Sequence, residues 1–184
     1  ADKQVSSENY AGYVANTNPN AIQLKNKVLF ALVVKRTGLR RFPTADKVYK
    51  QASDKYPSQS KENQLITRRL EKDLDMFQES ALFPGDAVAV LHVSKDGLWY
   101  LVQAYNYLAW LPKADVAIGS KADILAFKST DEFVVVTGNN VLTNYVPDYV
   151  EKHGQLSRVQ LGMGVRLPLA KRSDYGDDLY GQNP

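Results

Sequence analysis

From Ala81 onward the hydrophobic pattern is that of short strands separated by tight turns. "FPGD" is a turn signal, "AVAVLHVS" a strand, "KDG" a hairpin loop, "LWYLVQAY" a second strand and "LAWL" a short third. "PKADVAI" reads as a tight turn that closes the unit. A second unit starts at "FVVVTG", passes through "NNVLTNY" and returns at "VQLGMGVRLPLA". Upstream, "KVLFALVV" (Lys27–Val34) is an apolar run far short of the roughly 20 residues that cross a bilayer, and it predicts a buried strand. A helical period occurs once: Ile66, Leu70, Leu74 and Phe77 stand three and four apart and predict a brief helical segment.

These patterns predict a mainly β chain with two small β-barrels behind a partly irregular, partly helical N-terminal segment. The expected divisions are a polar arm at 1–26, a first unit with an N-terminal extension at 27–118, a connector at 119–132, a second unit at 133–170 and a loosely held tail at 171–184.

Composition changes this picture in two places. The chain contains no cysteine, which excludes a disulfide, a thiol nucleophile or a cysteine-ligated zinc within its 184 residues. The net charge of +3 hides an asymmetry: residues 1–72 hold 14 Lys/Arg against 6 Asp/Glu, and residues 73–184 hold 9 against 14. The basic half reads as a solvated face complementing the acidic half, with an anionic polymer as the alternative partner. Ala1 followed by a polar stretch fits removal of a signal peptide, so export to the periplasm, the cell wall or the medium is expected.

The candidate chemistry lies in the aromatics of "LWYLVQAYNYLAWL". Strand alternation puts Leu98, Tyr100 and Val102 on one face and Trp99, Leu101 and Gln103 on the other. One face must fill the core, and Tyr100 is assigned to it. Tyr105 and Tyr107 flank Asn106 at a hairpin tip, where little core is available, and are expected to face outward beside Trp99. Tyrosine there offers apolar area and a hydroxyl at low entropy cost, which suits peptide or sugar binding. Trp110 is a further candidate contact for which a structural role competes. His92 reads as a hydrogen-bonded core or edge residue, with no acid placed to make a triad with Ser94, and His153 as a turn residue. Two histidines so far apart make no metal site, and no cofactor is expected. "KRTGLRRF" (Lys35–Phe42) lacks the aromatic interleaving of a nucleic-acid surface, and "GMG" lacks the Lys-Ser/Thr of a phosphate loop.

"LRRFPT", "DMFQESALFPGDAVAVLHVSKDGLWYLVQAYNYLAWLPKADVAI", "FVVVTG" and "MGVRLPLA" together resemble the region ahead of the catalytic domain in NlpC-type cell-wall peptidases that carry two bacterial SH3-like domains. The resemblance spans about Val28 to Ala170, and departs from the pattern at Ala109, where glycine more often precedes the tryptophan. It implies that both barrels are SH3-like and pack against a papain-like catalytic domain of the same or another chain. That domain would cut the peptide stem of peptidoglycan with a cysteine nucleophile. With no cysteine here, the resemblance implies a non-catalytic module that binds peptidoglycan stem peptide or glycan, with no catalytic residue of its own. A longer parent would be a γ-D-glutamyl–diamino-acid endopeptidase; a protein-interaction module without a wall ligand is the other reading. The resemblance also puts Glu79 near the mouth of the peptidase cleft, where its carboxylate could pair with a stem-peptide amine. The candidate ligand contacts are therefore Glu79, Trp99, Tyr105, Tyr107 and Trp110.

Overall fold

The computed structural model describes residues 7–49, 74–145 and 157–169. Its main element is a seven-stranded antiparallel sheet with strand order β3-β2-β6-β5-β4-β1-β7. The strands are β1 (Leu29–Val33), β2 (Thr37–Arg40), β3 (Gln78–Leu82), β4 (Ala87–Val93), β5 (Trp99–Gln103), β6 (Leu108–Pro112) and β7 (Val116–Gly119). Helix α1 (Ser7–Asn16) precedes the sheet and α2 (Lys121–Ser129) follows it. Two small pairs come last: β8 (Phe133–Val135) with β11 (Arg166–Pro168), and β9 (Val141–Leu142) with β10 (Gln160–Leu161).

The mainly β expectation holds, but no closed barrel forms among the described residues. Strands β3 and β7 end the sheet and do not pair with each other. The sheet is nevertheless strongly curled, and chain length shows why. Strands β1 and β2 stand four positions apart in the sheet, about 19 Å if it were flat. Only Val34, Lys35 and Arg36 connect them, and that step spans at most about 14 Å. The sheet therefore wraps around its core, aided by bulges between Leu39 and Arg40 and between Val90 and His92. The last two strand pairs do not build a second barrel among the described residues.

Alternation supplies the core. Ala31, Val33, Leu39, Leu82, Val88, Val90, Tyr100, Val102, Ala104, Ala109 and Leu111 form one buried cluster. Ala109 fits there because it is a small inward residue, 3% exposed, on a strand whose neighbours are large. A satellite core of Val136, Leu161 and Val165 packs with Phe83, which links it to the main sheet. Gly162 faces the Phe83 ring so closely that a Cβ would lie 3.1 Å from it.

Four local expectations are corrected. The expected polar arm includes a packed helix: α1 packs through Tyr10 and Tyr13 onto Phe42 and Phe77, with ring centroids 5.1–6.1 Å apart. The connector contains α2, capped by Ser120, whose Oγ accepts from the Asp123 amide at 3.1 Å. "PKADVAI" is a 3-10 turn (Lys113–Asp115) followed by strand β7, which pairs with β1. Of the predicted helical segment, Leu74 to Ser80 is non-helical and runs into β3; its earlier part lies outside the described residues. Phe77 is buried by the aromatic cluster, so its spacing from Leu74 reflected tertiary packing.

Candidate functional site

The outer face of the sheet, opposite the core, carries the site. Trp99 and Tyr100 are neighbours on β5 with opposite facings, yet they are only 8% and 9% exposed. Both faces of β5 are therefore covered at that end. Tyr100 lies in the core, whereas Trp99 forms part of a cleft of about 930 Å³ beneath α1. Tyr13, Asn16, Pro43, Asp46 and Asp96 line the same cleft.

The β4–β5 hairpin builds one wall. Gly97 takes φ +73°, a left-handed conformation that suits glycine, and closes the turn. Ser94, buried at the base, donates from Oγ to Asp96 Oδ1 at 2.5 Å and accepts from the Trp99 amide at 3.0 Å. Asp96 Oδ1 also accepts from the Leu98 amide at 2.9 Å. Burial acts to raise the Asp96 pKa, but the hydrogen bonds from Ser94, Leu98 and Asn16 outweigh it and hold the carboxyl below its ordinary value. Among the described residues no cation lies within salt-bridge distance of Asp96, so its negative charge at the cleft wall is stabilised by neutral donors alone.

The opposite wall comes from α1 and the segment after β2. Tyr13 donates to Asp46 Oδ2 at 2.9 Å. Burial, together with this bond and the Asp46 charge, raises the Tyr13 pKa. Beneath this wall, Arg40 donates from Nη1 to Asp75 Oδ2 at 2.8 Å and from Nη2 to the Asp46 carbonyl, while its buried Nε has no partner among the described residues. For Asp75, burial acts to raise the pKa, but the Phe77 and Val48 amides and Arg40 lower it on balance.

The five expected contacts do not converge. Hairpin register sets Trp99 opposite Pro112 and Gln103 opposite Leu108, so Trp99 and the Tyr105–Tyr107 tip occupy opposite ends of β5. The expectation that the tyrosines stand beside an outward Trp99 is thereby overturned. Tyr105 is 84% exposed and Tyr107 37%. Trp110 is buried on the outer face, opposite Leu101 and Arg40, with its ring centroid 6.2 Å from that of His92. His92 Nε2 lies 3.0 Å from the Asn18 carbonyl, so this histidine is tied to the N-terminal segment. Glu79, on edge strand β3, accepts from Arg41 Nε at 2.6 Å. His153 lies outside the described residues.

Sequence reasoning missed Tyr13, Asn16, Asp46 and Asp96. The only available signal was the aromatic spacing in "ENYAGYVAN", where Tyr10 and Tyr13 share a helix face. The cations of the basic run at Lys35–Arg41 have partners within the chain, although Lys35, Arg36 and Arg41 stay exposed and Arg40 alone of the four is buried. Lys35 pairs with Asp115 at 2.8 Å, Arg40 with Asp75, Arg41 with Glu79, and Arg36 stacks over Phe83 at 5.5 Å. Among the described residues no group of three or more His, Cys, Asp or Glu could hold a metal ion, and no helix is long and apolar enough to cross a membrane.

Residues 71–112, which include β3 to β6, match the family model of the SH3 domain of SH3b1 type. No curated protein sequence matches the chain. Among solved structures, an NlpC/P60 endopeptidase from Photobacterium damselae subsp. piscicida superposes with a TM-score of 0.66 at 23% identity. The alignment covers 91% of this chain and 33% of that one, so the chain spans about a third of that protein's length. The stretch 71–112 therefore carries the SH3b1-type signature, within a fold shared with an NlpC/P60 endopeptidase, which bears out the resemblance read from the sequence.

Proposed function

We propose that the chain is a non-catalytic cell-wall module that binds peptidoglycan and positions its stem peptide for an NlpC-type peptidase. The observation that supports this reading best is a coincidence of place. The SH3b1-type match falls on the strands that carry the exposed Tyr105–Tyr107 tip, and Trp99 of the cleft lies within it. Tyr105 and Tyr107 offer flat apolar surface with a hydroxyl for a sugar or peptide. Glu79 would take the amine of a stem peptide, and that amine must compete with the Arg41 guanidinium already bonded to it. Trp99 and Trp110 would act from beneath the surface, by holding the hairpins that present these groups.

The share of the endopeptidase that aligns favours a companion reading for a longer parent. There a papain-like domain would supply the cysteine and cut the γ-D-glutamyl–diamino-acid bond. Export to the periplasm, the wall or the medium accompanies both readings.

The test is co-sedimentation with purified peptidoglycan. The chain should pellet with the sacculi, and a Tyr105→Ala/Tyr107→Ala double variant should lose most of that retention while keeping its melting temperature. A wild-type chain that stays in the supernatant would refute wall binding and leave protein interaction as the surviving reading.

A further inference from the structure

The cleft beneath α1 has the size and the lining of a ligand site. Its volume of about 930 Å³ falls in the range of roughly 300–1,000 Å³ common to small-molecule sites. Apolar surface reaches it from separate segments: Tyr13 of α1, Pro43 after β2, Leu98 and Trp99 of the hairpin, and Pro112 at the end of β6. Charge is the second feature. Asp96 and Asp46 stand on opposite walls, and Lys113 is the one cation among the described residues that lines the cleft. The Lys113 ammonium lies 5.2 Å from the centroid of the Tyr100 ring, and Tyr100 belongs to the core on the face away from Trp99. Its charge is thereby drawn to the other side of β5. Beneath the wall, the Arg40 guanidinium is matched by Asp75. What remains in the cleft is negative.

Asp96 also has an acceptor position to give. A carboxylate offers about four such positions. Ser94 Oγ and the Leu98 amide take two at Oδ1, and Asn16 Nδ2 takes one at Oδ2, which leaves Oδ2 room for another donor. The same three bonds hold the carboxylate in place, so little side-chain freedom is lost when a ligand arrives. We propose that the cleft binds a primary ammonium borne by an apolar residue, with Asp96 as its counter-ion and the paired Trp99 and Pro112 against its apolar part. One open position suits the point donor of an ammonium better than the planar fork of a guanidinium, which calls for two oxygens. Such an ammonium is either the amino terminus of a peptide or the side-chain end of a diamino acid. The site is separate from Glu79, which already faces Arg41, and it does not depend on retention by whole wall.

Nuclear magnetic resonance titration of the isotope-labelled 184-residue chain tests the site with four small probes. Alanyl-alanine amide carries an α-ammonium, Nα-acetyl-lysine amide a side-chain ammonium, Nα-acetyl-arginine amide a guanidinium, and N-acetyl-alanyl-alanine amide no charge. The Gly97 amide and the Trp99 indole should shift saturably with at least one ammonium probe, while the amides of Tyr105 to Tyr107 stay still. The ammonium probe that binds names the source, terminus or side chain. The guanidinium probe should bind more weakly, and the uncharged probe should move nothing. Asp96→Asn keeps an acceptor toward Ser94 and Leu98, and should weaken the ammonium probe by about tenfold or more, with a matching melting temperature showing that it is folded. Probe binding by a chain that does not pellet with sacculi would uphold this site and refute wall retention alone. No saturable shift with either ammonium probe, equal or tighter binding of the guanidinium or uncharged probe, or an unchanged affinity in folded Asp96→Asn would each overturn the proposal.

Discussion

Asn16, at the end of α1, and Asp96, in the β4–β5 hairpin, hold each other through two hydrogen bonds. Asn16 Nδ2 donates to Asp96 Oδ2 at 3.0 Å, and the Asp96 amide donates to Asn16 Oδ1 at 3.1 Å. Asn16 Nδ2 also reaches the Pro43 carbonyl at 2.7 Å, and its own carbonyl accepts from the Lys95 amide at 2.9 Å. One side chain thus joins the helix, the hairpin and the segment after β2, the three parts that enclose the cleft.

Asn16→Ala should therefore loosen α1 more than it disturbs the sheet. Three side-chain hydrogen bonds are lost at a partly exposed position, each worth about 1 kcal/mol net or less, so a total cost of roughly 1–2 kcal/mol is expected. Amide hydrogen exchange should accelerate in Tyr10–Asn16 and in the hairpin, with Val90 and Val102 still protected. Equal acceleration in the core strands would mean that the helix is integral to the sheet's stability.

Asp75 and Asp96 set the expected response to acid. Both pKa values lie below the ordinary aspartate value, because donated hydrogen bonds outweigh the opposing effect of burial. Between the folded and unfolded pKa values the unfolded chain binds more protons. The stability from these groups is therefore fully present above the unfolded value, near pH 4, and is lost as the pH falls through the lower folded values. Urea midpoints measured downward from about pH 5 should show this loss below about pH 4. Asp96→Asn, which keeps an acceptor toward Ser94 and Leu98, should make the decline shallower. An unchanged acid profile in that variant would remove Asp96 from the explanation.

Tyr100 and Tyr107 should separate stability from surface function. Tyr100 sits in the main core and is 9% exposed, so Tyr100→Ala should cost roughly 2–4 kcal/mol. Tyr107, at the hairpin tip, is 37% exposed, and its truncation should cost under about 1 kcal/mol. Thermal melts of the two variants measure the difference. Comparable losses would mean that the tip is part of the folded core after all.

Incubation with purified muropeptides should leave their stems intact, as mass spectrometry would detect, because the 184 residues contain no cysteine to act as nucleophile. A cleaved stem whose release depends on any residue of this chain would contradict the non-catalytic reading.

What the sequence determined alone is local. Alternation in "LWYLVQAY" assigned Leu98, Tyr100 and Val102 to one face; Tyr100 and Val102 are buried in the core, whereas Leu98, ahead of the strand, is exposed. Turn chemistry in "FPGD" and "KDG" marked the bends before β4 and β5, because Gly85 and Gly97 supply the positive φ that those bends require. The shared order of turns and aromatics was enough to register a family resemblance. Tertiary structure decided what covers the second face of each strand. Alternation says that Trp99 points away from Tyr100, but not whether that direction is solvent; α1 and the segment after β2 turn it into a cleft. Asn16 and Asp96 are 80 residues apart, and neither carries a pattern that names the other. The openness of the sheet was equally hidden, because closure depends on whether β3 reaches β7 across the curl, a distance set by every strand between them.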